Sequence, residues 1–126
     1  MKQPDHNLFT ALRAAFPKDL DTVAIETDAD LRYTWRDLDR ATAMMANLLA
    51  SLGLPAGARI AVQVEKSVEV AMFYLATLRA GYVFLPLNTA YQSAEIDYLI
   101  GLSPIHISRC RRSTLCRNMQ FTSHYK

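Results

Sequence analysis

Residues 59–88 read Arg59-Ile-Ala-Val-Gln-Val-Glu-Lys-Ser-Val-Glu-Val-Ala-Met-Phe-Tyr-Leu-Ala-Thr-Leu-Arg-Ala-Gly-Tyr-Val-Phe-Leu-Pro-Leu-Asn88. The stretch opens with alternation, Ile60, Val62 and Val64 against Arg59, Ala61 and Gln63. That is the period of a half-buried strand over 59–64. Glu65 and Lys66 interrupt it, and Ser67 is a residue type whose side-chain oxygen caps helices. Residues 68–79 are apolar almost all round, with Met72, Phe73, Tyr74, Leu75 and Leu78. This predicts a helix buried on more than one side. Gly81 ends it, because glycine enters the left-handed region without steric cost. Residues 82–87 are a nearly continuous apolar run, as in a strand covered on both faces. Pro86 lacks a donor and is expected at that strand's exit. Strand, helix and strand joined by short links imply parallel pairing in an α/β layer structure.

Working outward, residues 34–37, Thr-Trp-Arg-Asp, have the form of a capping box. The helix behind it places Leu38, Ala41, Met45, Leu48, Leu49 and Leu52 on one face, with Arg36, Asp39, Arg40 and Asn47 mostly elsewhere. Gly53 is a candidate C-terminal cap, and Leu54-Pro-Ala-Gly57 a turn. Residues 23–27 and 31–34 are short strand-like runs around the turn Asp28-Ala-Asp30, which suggests a hairpin. Asn7 caps a first helix over 8–16, with Leu8, Leu12 and Phe16 on one face, and Pro17 stops it. Beyond the central stretch, residues 88–92 form a polar loop, and Ser93 caps a helix over 94–100 with Glu95 in its first turn.

The chain has 126 residues, 51% apolar and 21% charged, a balance that excludes a disordered or low-complexity polymer. The longest charge-free runs, 41–58 and 80–94, contain Pro and Asn, so neither is a membrane span. No signal-peptide pattern is visible, and the composition points to a soluble, cytoplasmic protein. The net charge of +2 averages two unlike segments. Residues 1–101 carry nine basic and twelve acidic side chains, whereas residues 102–126 carry five basic and none acidic. Both cysteines and two of the three histidines also fall after Gly101. The two segments are therefore read separately.

Two motifs carry a resemblance: Leu31-Arg-Tyr-Thr-Trp-Arg-Asp-Leu38, and Leu78-Arg-Ala-Gly-Tyr-Val-Phe-Leu-Pro-Leu-Asn88. With the link Leu52-Gly-Leu-Pro-Ala-Gly-Ala-Arg-Ile-Ala-Val62, they resemble the first core motifs of the adenylate-forming superfamily. That superfamily comprises acyl-CoA synthetases, peptide-synthetase adenylation domains and luciferases. Glu65-Lys-Ser67, Tyr74-Leu-Ala-Thr-Leu-Arg-Ala-Gly81 and Pro86-Leu-Asn-Thr-Ala-Tyr91 look most like its malonyl-CoA and methylmalonyl-CoA synthetases. The resemblance covers residues 8–101. It implies the N-terminal part of the large domain of such an enzyme, with layered helices and mostly parallel strands.

The resemblance also implies a chemistry. A carboxylic acid, malonate-like here, reacts with ATP to give an acyl-adenylate and pyrophosphate, and coenzyme A then displaces AMP. This needs a Gly-rich phosphate loop, Mg2+ across the phosphate oxygens, and a lysine on a mobile C-terminal domain. The glycines at 53, 57, 81 and 101 are too far apart to form such a loop. The expectation is an N-terminal fragment that is inactive alone, with no catalytic residue, no metal ligand and no identified cofactor contact within the chain. The motifs themselves read as structural: Gly81 lets the strand pack close, and Tyr33 and Trp35 are aromatic anchors. A fatty-acid, aryl-acid or amino-acid substrate is the alternative within the superfamily. A non-enzymatic α/β module that binds through a basic tail is the alternative of another class.

Residues 102–126 depart from the family pattern and read as an irregular basic tail, of the kind an out-of-frame translation or adapter read-through produces. His106, Cys110, Cys116 and His124 lack the paired-knuckle spacing of a zinc site and are read as a coincidental cluster. A Cys110–Cys116 disulfide is disfavoured in a reducing cytosol. Arg109, Arg111, Arg112 and Arg117 make a basic patch without interleaved aromatics, so non-specific stickiness is preferred to specific nucleic-acid binding. Glu65 and Lys66 stand between a strand and a helix, a common place for ligand contacts; a solvated turn is the preferred reading. Met44, Met45 and Met72 are read as core filler.

Overall fold

A computed structural model describes residues 6–101, 105–109 and 120–122. The elements run α1 (Leu8–Ala14), β1 (Val23–Glu26), β2 (Arg32–Thr34), α2 (Trp35–Ser51), β3 (Arg59–Gln63), α3 (Val68–Arg79), β4 (Val83–Pro86), α4 (Ser93–Gly101), β5 (Ile105–Arg109) and β6 (Gln120–Thr122). β1 and β2 form an antiparallel hairpin, and the larger sheet has the order β4-β3-β5-β6. β4 and β5 both pair parallel to β3, and β6 returns antiparallel to β5. The α/β class is thus as the sequence implies.

The helix ends form where the side chains dictate. Thr34 accepts from the Asp37 N–H while the Asp37 carboxylate accepts from the Thr34 N–H, closing the capping box of α2. Ser67 accepts from the Val70 N–H and starts α3. Gly81 follows α3 at φ +81°, a conformation that costs a Cβ-bearing residue strain. At α4 the cap is one residue earlier than expected. Gln92 supplies the carbonyl for Ile96 N–H, and Glu95 reaches back to accept from Gln92 N–H at 3.0 Å.

α2 packs on α3, and both lie over the face of β3 that carries Ile60 and Val62. Leu49, Ile60, Val62 and Phe73 form the centre of the core. Each such apolar side chain, fully buried, contributes about 1.5–3 kcal/mol. The buried face of α2 is Leu38, Thr42, Ala46 and Leu49, whereas Leu48 is half exposed. Thr42 and Thr77 sit in this core because each hydroxyl donates to the carbonyl four residues back, at 2.8 Å.

Several expectations are corrected. In α1 it is Phe9 that is buried, while Leu8 and Leu12 are partly exposed. The Asn7 side-chain amide donates to the Leu78 carbonyl and Arg79 lies over the Phe9 ring, and these contacts set the rotation that turns Phe9 inward. β3 is buried on both faces, since Ala61 packs with Leu87 and Leu85 in a second cluster. β4 is not covered on both faces: it is an edge among the described strands, and Val83 is 47% exposed. Val83 and Leu87 donate to the Ala58 and Val62 carbonyls, so the two-residue period turns the Phe84 N–H and the Pro86 nitrogen away from β3, while the Phe84 ring packs against the core. Pro86 therefore forfeits no bond within the sheet. Met44 is 73% exposed rather than core filler; Met72 is buried, and Met45 packs at the core's margin. The tail expected to be irregular carries β5 and β6 at 105–109 and 120–122, β5 being paired along its whole length with β3.

Candidate functional site

Among the described strands, the carboxyl ends of β3 and β4 are where the topology prepares a crevice. β3 leads through α3 to β4 on one side, and β4 leads through α4 to β5 on the other. Right-handed crossovers send these two connections to opposite faces, so the loops leaving β3 and β4 diverge. Ligands of open α/β sheets bind at such switch points.

The loop after β3 carries Glu65 and Lys66, both exposed, and ends in the Ser67 cap. The loop after β4 is held by Gln63. Its side-chain amide donates to the Asn88 carbonyl at 3.0 Å and to the Tyr91 carbonyl at 2.8 Å. Asn88 folds the loop on itself by accepting from the Ala90 N–H at 2.9 Å. Buried Leu87 anchors it beneath. The structure brings Gln63, Glu65, Lys66, Asn88 and Tyr91 to one sheet end. Gln63 was legible only as the polar side of an alternating strand, with no signal for its part in holding the loop.

This rim offers hydrogen-bonding groups and one charge of each sign, without a paired nucleophile and base. The glycines at positive φ do not help it hold phosphate. Gly57 and Gly81 precede β3 and β4, and the Gly57 N–H donates to the Gly81 carbonyl, at the opposite end of the sheet. Among the described residues no group of three or more His, Cys, Asp or Glu could hold a metal ion. The described residues of this rim therefore do not by themselves make up a site for ATP and Mg2+.

His106 lies in β5, in register with Ile60, and Arg109 pairs with Gln63 at the strand's end. Cys110, Cys116 and His124, with Arg111, Arg112 and Arg117, lie outside the described residues. No described helix is long and apolar enough to cross a membrane.

A second cluster ties the helices together. Arg13 on α1 donates from Nε and Nη2 to the two Asp39 oxygens on α2, at 2.7 and 2.8 Å. Arg79 on α3 donates from Nη1 to Asp39 Oδ1 at 3.0 Å, to the Asp39 carbonyl at 3.1 Å and to Thr42 Oγ1 at 3.2 Å. The hydrogen bond from Arg13, then that from Arg79, holds the Asp39 carboxyl below its usual range against the opposing cost of burial. Arg79 also lies over the Phe9 ring, 4.8 Å from its centre. Beside this cluster is an apolar hollow of about 340 Å3, lined by Phe9, Leu12, Phe16, Ile25, Trp35 and Leu75 among others.

Architecture and rim together define a partial α/β sheet with a switch-point crevice and, among the described residues, no phosphate loop. The chain belongs to the AMP-binding enzyme family, whose pattern matches residues 12–110. Its fold superposes on ATP-bound MatB from Rhodopseudomonas palustris with a TM-score of 0.72 and 35% identity, over 82% of this chain and 25% of that one. It is 32% identical to the medium-chain fatty-acid–CoA ligase of Escherichia coli, over 64% of this chain and 14% of the ligase. It is 31% identical to tyrocidine synthase 1 of Brevibacillus parabrevis, over 86% of this chain and 10% of the synthase. The chain thus spans a quarter or less of the length of these relatives.

Proposed function

We propose that residues 1–110 are the N-terminal segment of a cytoplasmic, ATP-dependent, AMP-forming acid–CoA ligase that acts on malonate or methylmalonate. One observation carries the reading: the chain is 35% identical to MatB, a malonyl-CoA synthetase, over 82% of its length. In the complete enzyme the acid carboxylate attacks ATP, pyrophosphate leaves, and coenzyme A displaces AMP from the acyl-adenylate. This segment supplies the layered platform and the switch-point rim, and no catalytic role falls to any of its residues. The chain alone is inactive in this reading, and only residues 111–126, beyond the matched family pattern, are read as outside the ligase segment.

A fatty acid or an amino acid as substrate is the second reading, supported by identities only a few points lower to the fatty-acid ligase and the peptide synthetase. The test is pyrophosphate release by a polypeptide joining residues 1–110 to the downstream phosphate loop and lysine-bearing domain. Malonate and methylmalonate are expected to exceed octanoate and amino acids by about ten-fold or more. A preference for octanoate or an amino acid overturns the malonate reading, and no adenylation of any acid overturns the ligase reading. The 126-residue chain alone is expected to release no pyrophosphate.

A further inference from the structure

We propose that α1 is a latched strap, which opens and closes over the apolar hollow independently of the α2–α3 layer, with the Arg13–Asp39–Arg79 cluster as its latch.

A helix of seven residues has little stability of its own, so α1 is helical because it is docked. The docking is thin. Phe9 is its one buried side chain, while Leu8 is 52% and Leu12 39% exposed. Polar contacts fix the two ends instead. The Asn7 side-chain amide donates to the Leu78 carbonyl at 2.9 Å, and Arg13 grips Asp39. Arg79 joins these attachments, because the guanidinium that bonds Asp39 also covers the Phe9 ring.

The hollow lies open beside Phe9 and Leu12, so α1 meets its neighbours less completely than a core helix does. Leu49, Ile60 and Phe73, at 0–3% exposure, are by contrast closed in on every side. Segments with few buried contacts open at lower free energy than the core they rest on. The moving segment has a natural limit. The Arg36 N–H donates to the Leu20 carbonyl, and the Arg36 side chain bonds Asp21, so the chain is fastened again from Leu20 onward.

Native-state hydrogen exchange on the 126-residue chain tests this, with Trp35, the single tryptophan and part of the hollow's wall, as an optical reporter. In the wild type, α1 amides are expected to exchange with little dependence on urea up to about 1 M, while the Leu49 and Phe73 amides follow the full unfolding slope. Arg13→Ala is expected to speed exchange in α1 by about two- to five-fold, as loss of a half-exposed ion pair allows. It should also shift Trp35 emission to the red and leave Leu49 and Phe73 unchanged. Arg13→Lys, which keeps the charge without the two-pronged grip, should have a smaller effect. A shared urea dependence of α1 and core in the wild type overturns the proposal. So does equal acceleration of both in Arg13→Ala, no acceleration of α1, or an Arg13→Ala chain that does not fold.

Discussion

Arg13 and Asp39 meet through two parallel bonds of 2.7 and 2.8 Å that join α1 to α2 across 26 positions of sequence. Arg79 completes the group from α3, so one carboxylate organises three helices. Asp39 is also the residue through which acidity reaches this layer.

Asp39→Ala is expected to lower stability by about 1–2 kcal/mol at pH 7, since it removes the carboxylate partner of Arg13 and one of the three acceptors of Arg79. Urea unfolding measures it. The pH dependence has a definite sign. The folded Asp39 carboxyl titrates below its ordinary value of 3.8, held down first by the Arg13 hydrogen bond and then by Arg79. As pH falls, the unfolded chain takes up the proton first, so this contribution is complete above 3.8 and lost as pH drops through the folded value. Asp21, bonded by Arg36, and Asp37, bonded by the Thr34 backbone, shift the same way. Urea midpoints should be flat from about pH 7 to 5 and fall below about pH 4, and Asp39→Asn should make that fall shallower.

Leu49→Ala should cost about 2–5 kcal/mol, because Leu49 is 0% exposed at the centre of the cluster with Ile60, Val62 and Phe73. Met44→Ala, five positions earlier on the same helix but 73% exposed, should change stability by less than about 0.5 kcal/mol. Equal losses in the two variants would contradict the observed rotation of α2.

Gly81→Ala tests backbone conformation without crowding. A Cβ at Gly81 meets nothing within 4 Å, so the cost is that of φ +81° alone. About 1–2 kcal/mol is expected, and less for Gly81→Asn, which tolerates the left-handed region better. Thermal unfolding of the two variants gives the comparison.

The two buried threonines should differ on conversion to valine. The Thr77 hydroxyl bonds only the Phe73 carbonyl, so Thr77→Val should fall within about 1 kcal/mol of the wild type. Thr42 also accepts from Arg79, so Thr42→Val should lose about 0.5–1 kcal/mol more through that bond, Arg79 Nη1 keeping the Asp39 carboxylate and carbonyl as acceptors. Denaturant midpoints of the pair, read side by side, decide it.

Much of the fold is written locally in the chain. Thr34 with Asp37, Ser67 and Gly81 each specify a helix end through contacts within a few residues, and all three act as their chemistry implies. What periodicity could not supply is the tertiary environment. Ala61 falls on the same side of the alternation as Arg59 and Gln63, yet distant Leu87 buries it. Thr42 looks polar in sequence and is fully buried, because its hydroxyl is satisfied within its own helix. Phe9 lost to Leu8 and Leu12 because helical spacing alone does not fix rotation about the axis, which Asn7 and Arg79 decide. At the candidate site, Glu65 and Lys66 were legible as the residues between a strand and a helix. The hold of Gln63 on the second loop was not, since it joins side chain to backbone across 25 positions.

Pro86 carries a consequence for how the chain meets other chains. The outward side of β4 presents the Phe84 N–H, and the next outward position, Pro86, has none to present. An incoming strand that tried to prolong the sheet there would leave one of its own carbonyls facing a pyrrolidine ring. The gap in this edge is thus written into covalent structure, and neither salt nor pH can restore the missing donor.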